Sequence, residues 1–210
     1  RENEELCGYD PYSNSKSCSE LITYSYKQAF FSSSDSPCMS TARSGNVIGG
    51  GDFAKDRIIP DCVRAALSGN EIVIRNPHSI RPYQHVMECL SGYLLLAKLQ
   101  SEDRRYAGSY NFGPSDDGCV TTGNLAQLFC NEWGEKLTWR VQGDGGPHEA
   151  NFLKLDCSKA KTVLGWKSNW DIVSSIKEVV GWSKMYQNGS NLAEAIDTQI
   201  AFYFSDYPKD

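Results

Sequence analysis

Tyr12 and Lys16 have the residue types and the spacing for proton-transfer chemistry. A separation of four residues places both side chains on one face of a helix. An ammonium group beside a phenol favours the phenolate, which removes a proton near neutral pH, and the same ammonium group can hydrogen-bond a ribose. The pair therefore predicts a catalytic base, although an ordinary solvated helix face would show the same spacing.

The pair must be positioned by the elements around it. Asp10 and Pro11 form a helix-start signal, with Asp as the N-cap and Pro at the first helical position, and helical character continues to about Phe31. A strand is predicted over 39–48, and it runs into the glycine turn at 49–51. This order of helix, strand and glycine turn is half of an α/β unit.

The remaining sequence alternates short helices and short strands. Helices are predicted over 60–67, 86–100, 123–133, 158–164, 171–187 and 191–204, and strands over 71–75, 110–112 and 137–141. This pattern belongs to the α/β class.

The composition is that of a globular protein, with 40% hydrophobic and 22% charged residues. The net charge of -5 and the mixing of acidic and basic residues argue against a nucleic-acid surface. No apolar run reaches the roughly 18 residues of a membrane span. We therefore predict neither a nucleic-acid nor a membrane partner. The opening RENEEL shows no signal peptide, and the first residue, Arg1, indicates a truncated or processed chain.

Eight cysteines are scattered along the chain without a CxxC pair, which favours a reduced, cytoplasmic protein over a disulfide-bonded one. The three histidines, His78, His85 and His148, lack the paired spacing that zinc and iron sites use. We therefore predict that the protein has no metal site.

Several segments together resemble the extended short-chain dehydrogenase/reductases. GYDPYSNSKSCSE is followed by ARSGNVIGGGD and then by DRIIPDCVRAALSG, in the order of that superfamily. Within it, SGNVIGGGD, IRNPHSIRPYQHV, SGYLLLA and LDCSKAKTVLGWKSNW resemble the CDP-glucose 4,6-dehydratase family, from about Gly8 to about Met185. The resemblance implies an NAD-dependent lyase that converts CDP-glucose to CDP-4-keto-6-deoxyglucose.

The resemblance also implies roles for particular residues. Tyr12 would take the proton from the sugar 4-hydroxyl, while Lys16 would tune Tyr12 and hold the nicotinamide ribose. Ser44 and Gly45 would pass the nicotinamide with their backbones. Asn46, at the carboxyl end of the predicted strand, would contact the substrate, and a turn-forming role for Asn46 stays open.

Three arginines are the predicted anion clamp, because a guanidinium group offers a diphosphate two parallel hydrogen bonds and keeps its charge. They are Arg57, Arg75 and Arg81, of which Arg81 matches the pyrophosphate-binding Arg of the family. Val73 and Arg75 belong to the strand expected to run beside the base and to help select cytosine. An ordinary surface role is the alternative for Arg75.

Two histidines have open assignments. His85 is either a ligand contact or a core histidine. The loop around His148 and Glu149 resembles the family's lid over the nucleotide, and a flexible surface loop is the alternative.

A second glycine pattern competes as a cofactor loop. GGGDFA, over 49–54, satisfies the loosened GxGxxA fingerprint, follows a strand and has Glu71 about 20 residues on. A dinucleotide loop must open directly into a helix, whereas AKDRII and Pro60 postpone the helix here. The family's fingerprint also lies upstream of the Tyr-Lys helix. We therefore reject this pattern as the pyrophosphate loop.

The predicted fold is an incomplete Rossmann-like, doubly wound half plus a smaller α+β substrate-binding domain. Residues 1–55 are predicted to be the remnant of the NAD-binding half, and 56–210 mainly the sugar-nucleotide domain, with some segments returning to the sheet. The family's glycine-rich turn, acidic ribose partner and catalytic Ser or Thr cannot be placed in this chain. We therefore expect a carboxyl-terminal portion that is inactive by itself and homodimeric through the Tyr-Lys helix.

Two alternatives stay open. The first is a sugar-nucleotide epimerase or reductase of the same superfamily, which a different product would reveal. The second is a non-catalytic nucleotide-sugar-binding or dimerisation module, which would bind a CDP-sugar without NAD.

Overall fold

The computed structural model describes residues 1–134, 136–143 and 152–205, which form two compact units. We call them unit 1, which comprises Arg1–Ser44, Ser91–Phe112 and Leu155–Lys167, and unit 2, which comprises Gly45–Leu90, Gly113–Lys154 and Ser168–Asp210 within the described residues. The chain therefore passes from one unit to the other several times.

The described residues contain helices and strands in the mixed order expected of the α/β class. The helices are α1 Pro11–Phe30, α2 Ile58–Leu67, α3 Val86–Glu102, α4 Thr122–Trp133, α5 Ser158–Val163, α6 Ile172–Gln187 and α7 Leu192–Ser205. The strands are β1 Thr41–Ser44, β2 Asn46–Ile48, β3 Ile72–Ile74, β4 Ile80–His85, β5 Ser109–Phe112, β6 Cys119–Thr121 and β7 Trp139–Val141.

Unit 1 is built on the parallel pair β1 and β5, in which Thr41 lies opposite Ser109 and Ser44 opposite Phe112. Its core is small and aromatic, and the Phe112 and Trp166 rings meet edge to face with centroids 5.2 Å apart. The buried members are Leu96, Tyr110, Phe112, Cys157, Ala160, Leu164 and Trp166.

Unit 2 contains the three-stranded sheet β2-β4-β6 and the parallel pair β3-β7. Strand β2 runs parallel to β4, and β6 runs antiparallel to it. Helices α2, α4 and α6 bury their apolar faces in one core with these strands. Its buried members include Ile59, Cys62, Val63, Ile72, Ile74, Tyr83, Leu125, Phe129, Trp133, Ile176 and Val179.

Local signals in the sequence explain the helix boundaries. The Asp171 side chain accepts the backbone N–H of Ser174 at 2.7 Å and caps α6, as predicted. The cap of α4 is Thr121, one residue before the predicted position, and it accepts the N–H of Asn124 at 3.1 Å. Helix α2 is followed by Gly69 in the left-handed conformation, with φ 64°.

The strands depart more from the prediction. The run over 39–48 is two strands, β1 and β2, because Gly45 interrupts it and the two strands pair with different partners. Strand β4 was not predicted, since it is short, contains Pro82 and has four consecutive buried residues rather than an alternating pattern. Strand β6 is three residues long and also escaped prediction.

Candidate active site

Helix α1 carries Tyr12 and Lys16, and it begins as the sequence predicts. The Asp10 carboxylate accepts the backbone N–H of Ser13 at 3.0 Å, which fixes the first turn. The Asn14 side-chain amide also exchanges two hydrogen bonds with the backbone of Gly8, at 2.8 and 2.9 Å. Two polar side chains therefore hold the start of the helix in the turn that contains Tyr12.

The Lys16 ammonium lies over the Tyr12 ring, with Nζ 5.3 Å from the ring centroid. This is within the range of a cation–π contact, and it confirms that the two side chains share a helix face. The Tyr12 side chain is 71% exposed. Within the described residues, Lys16 has no carboxylate partner. The phenol and the ammonium group are therefore open to a ligand, and their catalytic and cofactor-binding roles stay predictions.

Ser44 ends β1, and its hydroxyl shares a hydrogen bond with the hydroxyl of Tyr93 within unit 1. Gly45 begins unit 2, where a Cβ on it would lie 2.7 Å from both the ring and the carbonyl oxygen of Pro82. Glycine is therefore required at 45 by packing alone. The nicotinamide contacts of Ser44 and Gly45 stay predictions.

The glycine turn at 49–51 packs against an aromatic cluster on α6. A Cβ on Gly50 would overlap the indole ring of Trp182, and Trp182 stacks on Tyr186 with ring centroids 5.7 Å apart. The next helix, α2, begins only at Ile58. The turn therefore serves close packing and does not open into a helix, which agrees with our rejection of it as a pyrophosphate loop.

Arg57 and Arg75 each bind a carboxylate of the loop that precedes α2. Arg57 Nη1 lies 3.2 Å from Asp52, and Arg75 Nη2 lies 3.5 Å from Asp56. Both arginine side chains are more than half exposed, at 67% and 53%. Exposed ion pairs of this kind are weak, and the roles of Arg57 and Arg75 in binding an anion stay predictions.

The other predicted substrate residues follow the strands of unit 2. Asn46 starts β2, is partly buried and lies opposite Tyr83 of β4. Arg81 lies on β4, where its Nη1 donates to the carbonyl oxygen of Ile80 at 2.9 Å. Val73, in the middle of β3, is 42% exposed. Their contacts with a nucleotide stay predictions.

His85 is fully buried at the end of β4. Its Nδ1 accepts the backbone N–H of Met87 at 3.3 Å, and its ring meets the edge of Trp170 with centroids 5.0 Å apart. Burial lowers the pKa of His85 to about 4, so the imidazole is neutral near pH 7. The His85 Nε2 is buried without a hydrogen-bond partner among the described residues, so His85 is not a fully satisfied core histidine and both interpretations stay predictions.

Glu88 is a second buried titratable residue, and our sequence interpretation missed it. Its carboxylate accepts the backbone N–H groups of Trp170 at 2.7 Å and Asn169 at 2.9 Å. Burial raises the pKa of Glu88, and these two hydrogen bonds oppose the increase. An acid in the first turn of an otherwise apolar helix was the available signal. Glu88 ties the start of α3 to the segment that precedes α6.

The predicted residues divide between the two units. Tyr12, Lys16 and Ser44 belong to unit 1, while Gly45 and all the described substrate candidates belong to unit 2. His148 and Glu149 lie outside the described residues. Over the described ranges, no cluster of three or more His, Cys, Asp or Glu side chains is arranged to hold a metal ion. Over the same ranges, no helix has the length and hydropathy to cross a membrane.

Two relatives are similar to the chain in sequence, although no protein-family profile matches it. The chain is 41% identical over 98% of its length to CDP-glucose 4,6-dehydratase of Salmonella typhimurium, of which it spans 58%. It is 25% identical over 86% of its length to dTDP-glucose 4,6-dehydratase of Streptomyces antibioticus, of which it spans 51%. The first similarity confirms the resemblance inferred from the motifs. The chain spans little more than half the length of these relatives.

Solved structures show the same fold at lower identity. dTDP-glucose 4,6-dehydratase of Bacillus anthracis, in complex with NAD, matches with a TM-score of 0.69 at 18% identity, over 90% of this chain and 57% of that chain. UDP-glucose-4-epimerase of Stenotrophomonas maltophila, with bound NAD and formylated UDP-arabinopyranose, matches with a TM-score of 0.74 at 20% identity, over 90% and 59%. The predicted class, an incomplete Rossmann-like α/β fold, is confirmed.

Proposed function

We propose that the chain is the carboxyl-terminal portion of an NAD-dependent CDP-glucose 4,6-dehydratase. The observation that carries this proposal is the 41% identity to the Salmonella enzyme across 98% of the chain. The geometry supports it, because a Tyr-Lys pair lies on an exposed helix face in the first unit and exposed arginines bind carboxylates in the second.

The chain's own residues would act first on the sugar. Tyr12, beside the Lys16 ammonium group, takes the proton of the 4-hydroxyl group. Lys16 also donates hydrogen bonds to the nicotinamide ribose, for which its exposed ammonium group is suited. Bound NAD would supply the hydride chemistry at C4 and C6 of the sugar, and one water would be lost across C5 and C6. The product is a 4-keto-6-deoxy sugar nucleotide.

The residues present fit one end of NAD. Tyr12 and Lys16 are exposed and suited to the nicotinamide ribose, whereas the glycine turn at 49–51 is packed on Trp182 and is unsuited to the diphosphate. We place the main NAD-binding segment in the share of the relatives' length that this chain does not span. The isolated chain should therefore not turn over substrate.

Unit 2 would hold the CDP-sugar. Arg57, Arg75 and Arg81 are the proposed diphosphate ligands, and exchange of Asp52 and Asp56 for phosphate oxygens would accompany binding. Asn46 would contact the sugar, and Val73 would lie beside the base. The proposed role of His148 is in the lid over the nucleotide.

We also propose a cytoplasmic homodimer. All eight cysteines lie among the described residues as thiols rather than disulfides, which suits a reducing compartment. Helix α1 has no buried residue, so its apolar side chains are available to a second copy. Sizing of the intact enzyme tests the dimer, and a monomer at high concentration would contradict it.

The product of the intact enzyme tests the proposed function. CDP-glucose, dTDP-glucose and UDP-glucose should each be incubated with enzyme and NAD, and the products analysed by mass spectrometry and NMR. We expect loss of one water and a 4-keto-6-deoxy sugar from CDP-glucose at the highest kcat/KM. An unchanged mass with an inverted hydroxyl would instead identify an epimerase, the second candidate.

The non-catalytic alternative has a separate test. Calorimetry of the chain with CDP-glucose, without NAD, measures whether the chain binds the nucleotide sugar in the absence of the cofactor. Binding there together with no product from the intact enzyme would indicate a binding module and contradict the catalytic assignment.

A further inference from the structure

Helix α1 is attached to the rest of unit 1 by an ion pair. None of its residues is buried. Glu20, in the middle of the helix, accepts a hydrogen bond from Arg43 Nε of β1 at 2.7 Å. The side chains are 17% and 24% exposed, so this pair is better shielded from water than the other ion pairs of the described residues. The geometry therefore commits Glu20 to β1.

The position of Glu20 makes this commitment important for Lys16. Tyr12, Lys16 and Glu20 follow one another at intervals of four residues, and side chains at this spacing meet on a helix surface. Lys16 therefore has two neighbours along the helix, a phenol on one side and a carboxylate on the other. If Glu20 were free, it could pair with Lys16 and withdraw the ammonium group from Tyr12.

Arg43 faces two glutamates. Besides Glu20, it contacts Glu2, whose backbone oxygen accepts a hydrogen bond from Arg43 Nη1 at 3.4 Å. The Glu2 carboxylate accepts the backbone N–H of Asn111 at 2.9 Å. The hydrogen bond from Arg43 lowers the pKa of Glu20, so the Glu20 carboxylate is charged at neutral pH. On α1 itself, Lys16 is the charged neighbour one turn before Glu20.

We propose that Arg43 is a positioning residue that holds Glu20 against β1 and thereby leaves the Lys16 ammonium group to Tyr12. The inference rests on the proposed function, in which Tyr12 is the catalytic base. Arg43 touches neither Tyr12 nor Lys16 through any described contact, so it acts through Glu20. Its charge matters because it neutralises Glu20, and its place on β1 matters because it turns Glu20 away from the Lys16 side of the helix.

The pH profile of the intact enzyme tests this role. Arg43→Met should move the pH of half-maximal turnover upward by roughly 0.3 unit, the size expected of an exposed ion pair between residues four apart. The double variant Arg43→Met/Glu20→Gln should restore the original profile, because no carboxylate remains to pair with Lys16. Glu20→Gln alone should also keep it. A purely structural tether would predict the same defect in all three variants, since each lacks the ion pair, and that result would overturn the proposal.

A second measurement does not depend on activity. The side-chain nitrogen resonance of Lys16, observed by NMR in the isotope-labelled chain and assigned with Lys16→Arg, should shift in Arg43→Met and return in the double variant. An unmoved resonance would overturn the proposal even in an active enzyme. If the intact enzyme makes no 4-keto-6-deoxy product, the proposed function fails, while this resonance still decides the role of Arg43.

Two further variants complete the experiment. Arg105→Met removes another arginine of unit 1, which pairs with Asp103 at 2.6 Å and is 87% exposed, and it should leave the profile and the Lys16 resonance unchanged. Should Arg43→Met lose the α1 helix by circular dichroism, Arg43→Gln keeps a hydrogen-bond donor without the charge. It is expected to give the same upward movement, and an unchanged profile in a folded Arg43→Gln would contradict the proposal.

Discussion

Helix α1 and the junction of β4 with α3 both carry titratable groups, but in opposite environments. On α1, Tyr12 is 71% exposed and no residue of the helix is buried. At the junction, His85 and Glu88 are each 0% exposed, and Glu88 accepts two backbone hydrogen bonds.

The difference shows that burial and exposure give polar side chains different roles. A buried carboxylate must be satisfied by fixed donors, so its removal disturbs the fold. An exposed phenol beside an ammonium group has little effect on packing, so its value lies in the ligand that reaches it. We therefore expect substitution of Tyr12 to reduce activity without affecting stability, and substitution of Glu88 or His85 to reduce stability.

The largest effect is expected at Tyr12. In the intact enzyme, Tyr12→Phe should lower kcat by about 10²–10⁴-fold, because it removes the proposed base and leaves the ring. Its free energy of unfolding should stay within about 0.5 kcal/mol of the unmodified enzyme, since the side chain is exposed.

The matched control is Tyr26→Phe on the same helix, where the ring is 54% exposed. Steady-state kinetics with CDP-glucose and urea unfolding measure both quantities. Unaltered turnover in Tyr12→Phe would contradict the catalytic assignment, and a large loss of stability would contradict the contrast between the two regions.

Glu88→Ala should cost about 4 kcal/mol of unfolding free energy. It leaves the backbone N–H groups of Asn169 and Trp170 buried without their carboxylate acceptor, and each such group costs about 1–3 kcal/mol. Urea unfolding followed by tryptophan fluorescence measures the change. Glu102→Ala, at the exposed end of the same helix, is the control and should lie within about 0.5 kcal/mol of the unmodified chain. Equal losses of unfolding free energy in Glu88→Ala and Glu102→Ala would contradict a special structural role for the buried carboxylate.

The pH dependence of stability should reveal His85. The pKa of His85 is 6.5 in the unfolded chain and about 4 in the folded chain, so between these pH values only the unfolded chain is protonated at His85. The contribution of neutral His85 to the free energy of unfolding is therefore fully present above pH 6.5. It is lost as the pH falls toward 4, by up to about 3 kcal/mol.

His85→Asn keeps an acceptor near Met87 but does not ionise, so the fall in unfolding free energy between pH 7 and pH 4 should be smaller by about that amount. Urea unfolding at several pH values measures how the free energy of unfolding changes with pH. His78→Asn, at an exposed position, is the matched histidine substitution. An identical slope in His85→Asn and the unmodified chain would contradict a buried, neutral His85.

The smallest changes in stability are expected from two glycine substitutions in unit 2. Gly50→Ala should destabilise unit 2 by about 2 kcal/mol, because the new methyl group overlaps the Trp182 ring. Gly181→Ala places a methyl group in open space within α6 and should stabilise it by about 1 kcal/mol. Thermal unfolding compares them. A neutral Gly50→Ala would mean that the turn at 49–51 is not fixed by packing.

Short-range features of the fold were predictable from the sequence. Asp10 and Asp171 cap their helices as expected, and Lys16 lies over Tyr12 because a helix places residues four apart on one face. The strands were less predictable. Strand β4 contains a proline and lacks alternation, so only its pairing with β2 and β6 defines it.

The sequence by itself determined the Tyr-Lys helix, its cap and the resemblance to a dehydratase family, since these depend on neighbouring residues and on motif order. Only the tertiary structure decided that Arg43 holds Glu20 and that Glu88 meets Asn169, which is 81 residues away. Burial and pairing over such separations depend on which distant segments pack together in the folded chain. A short segment does not specify its partner, because many distant segments are compatible with it.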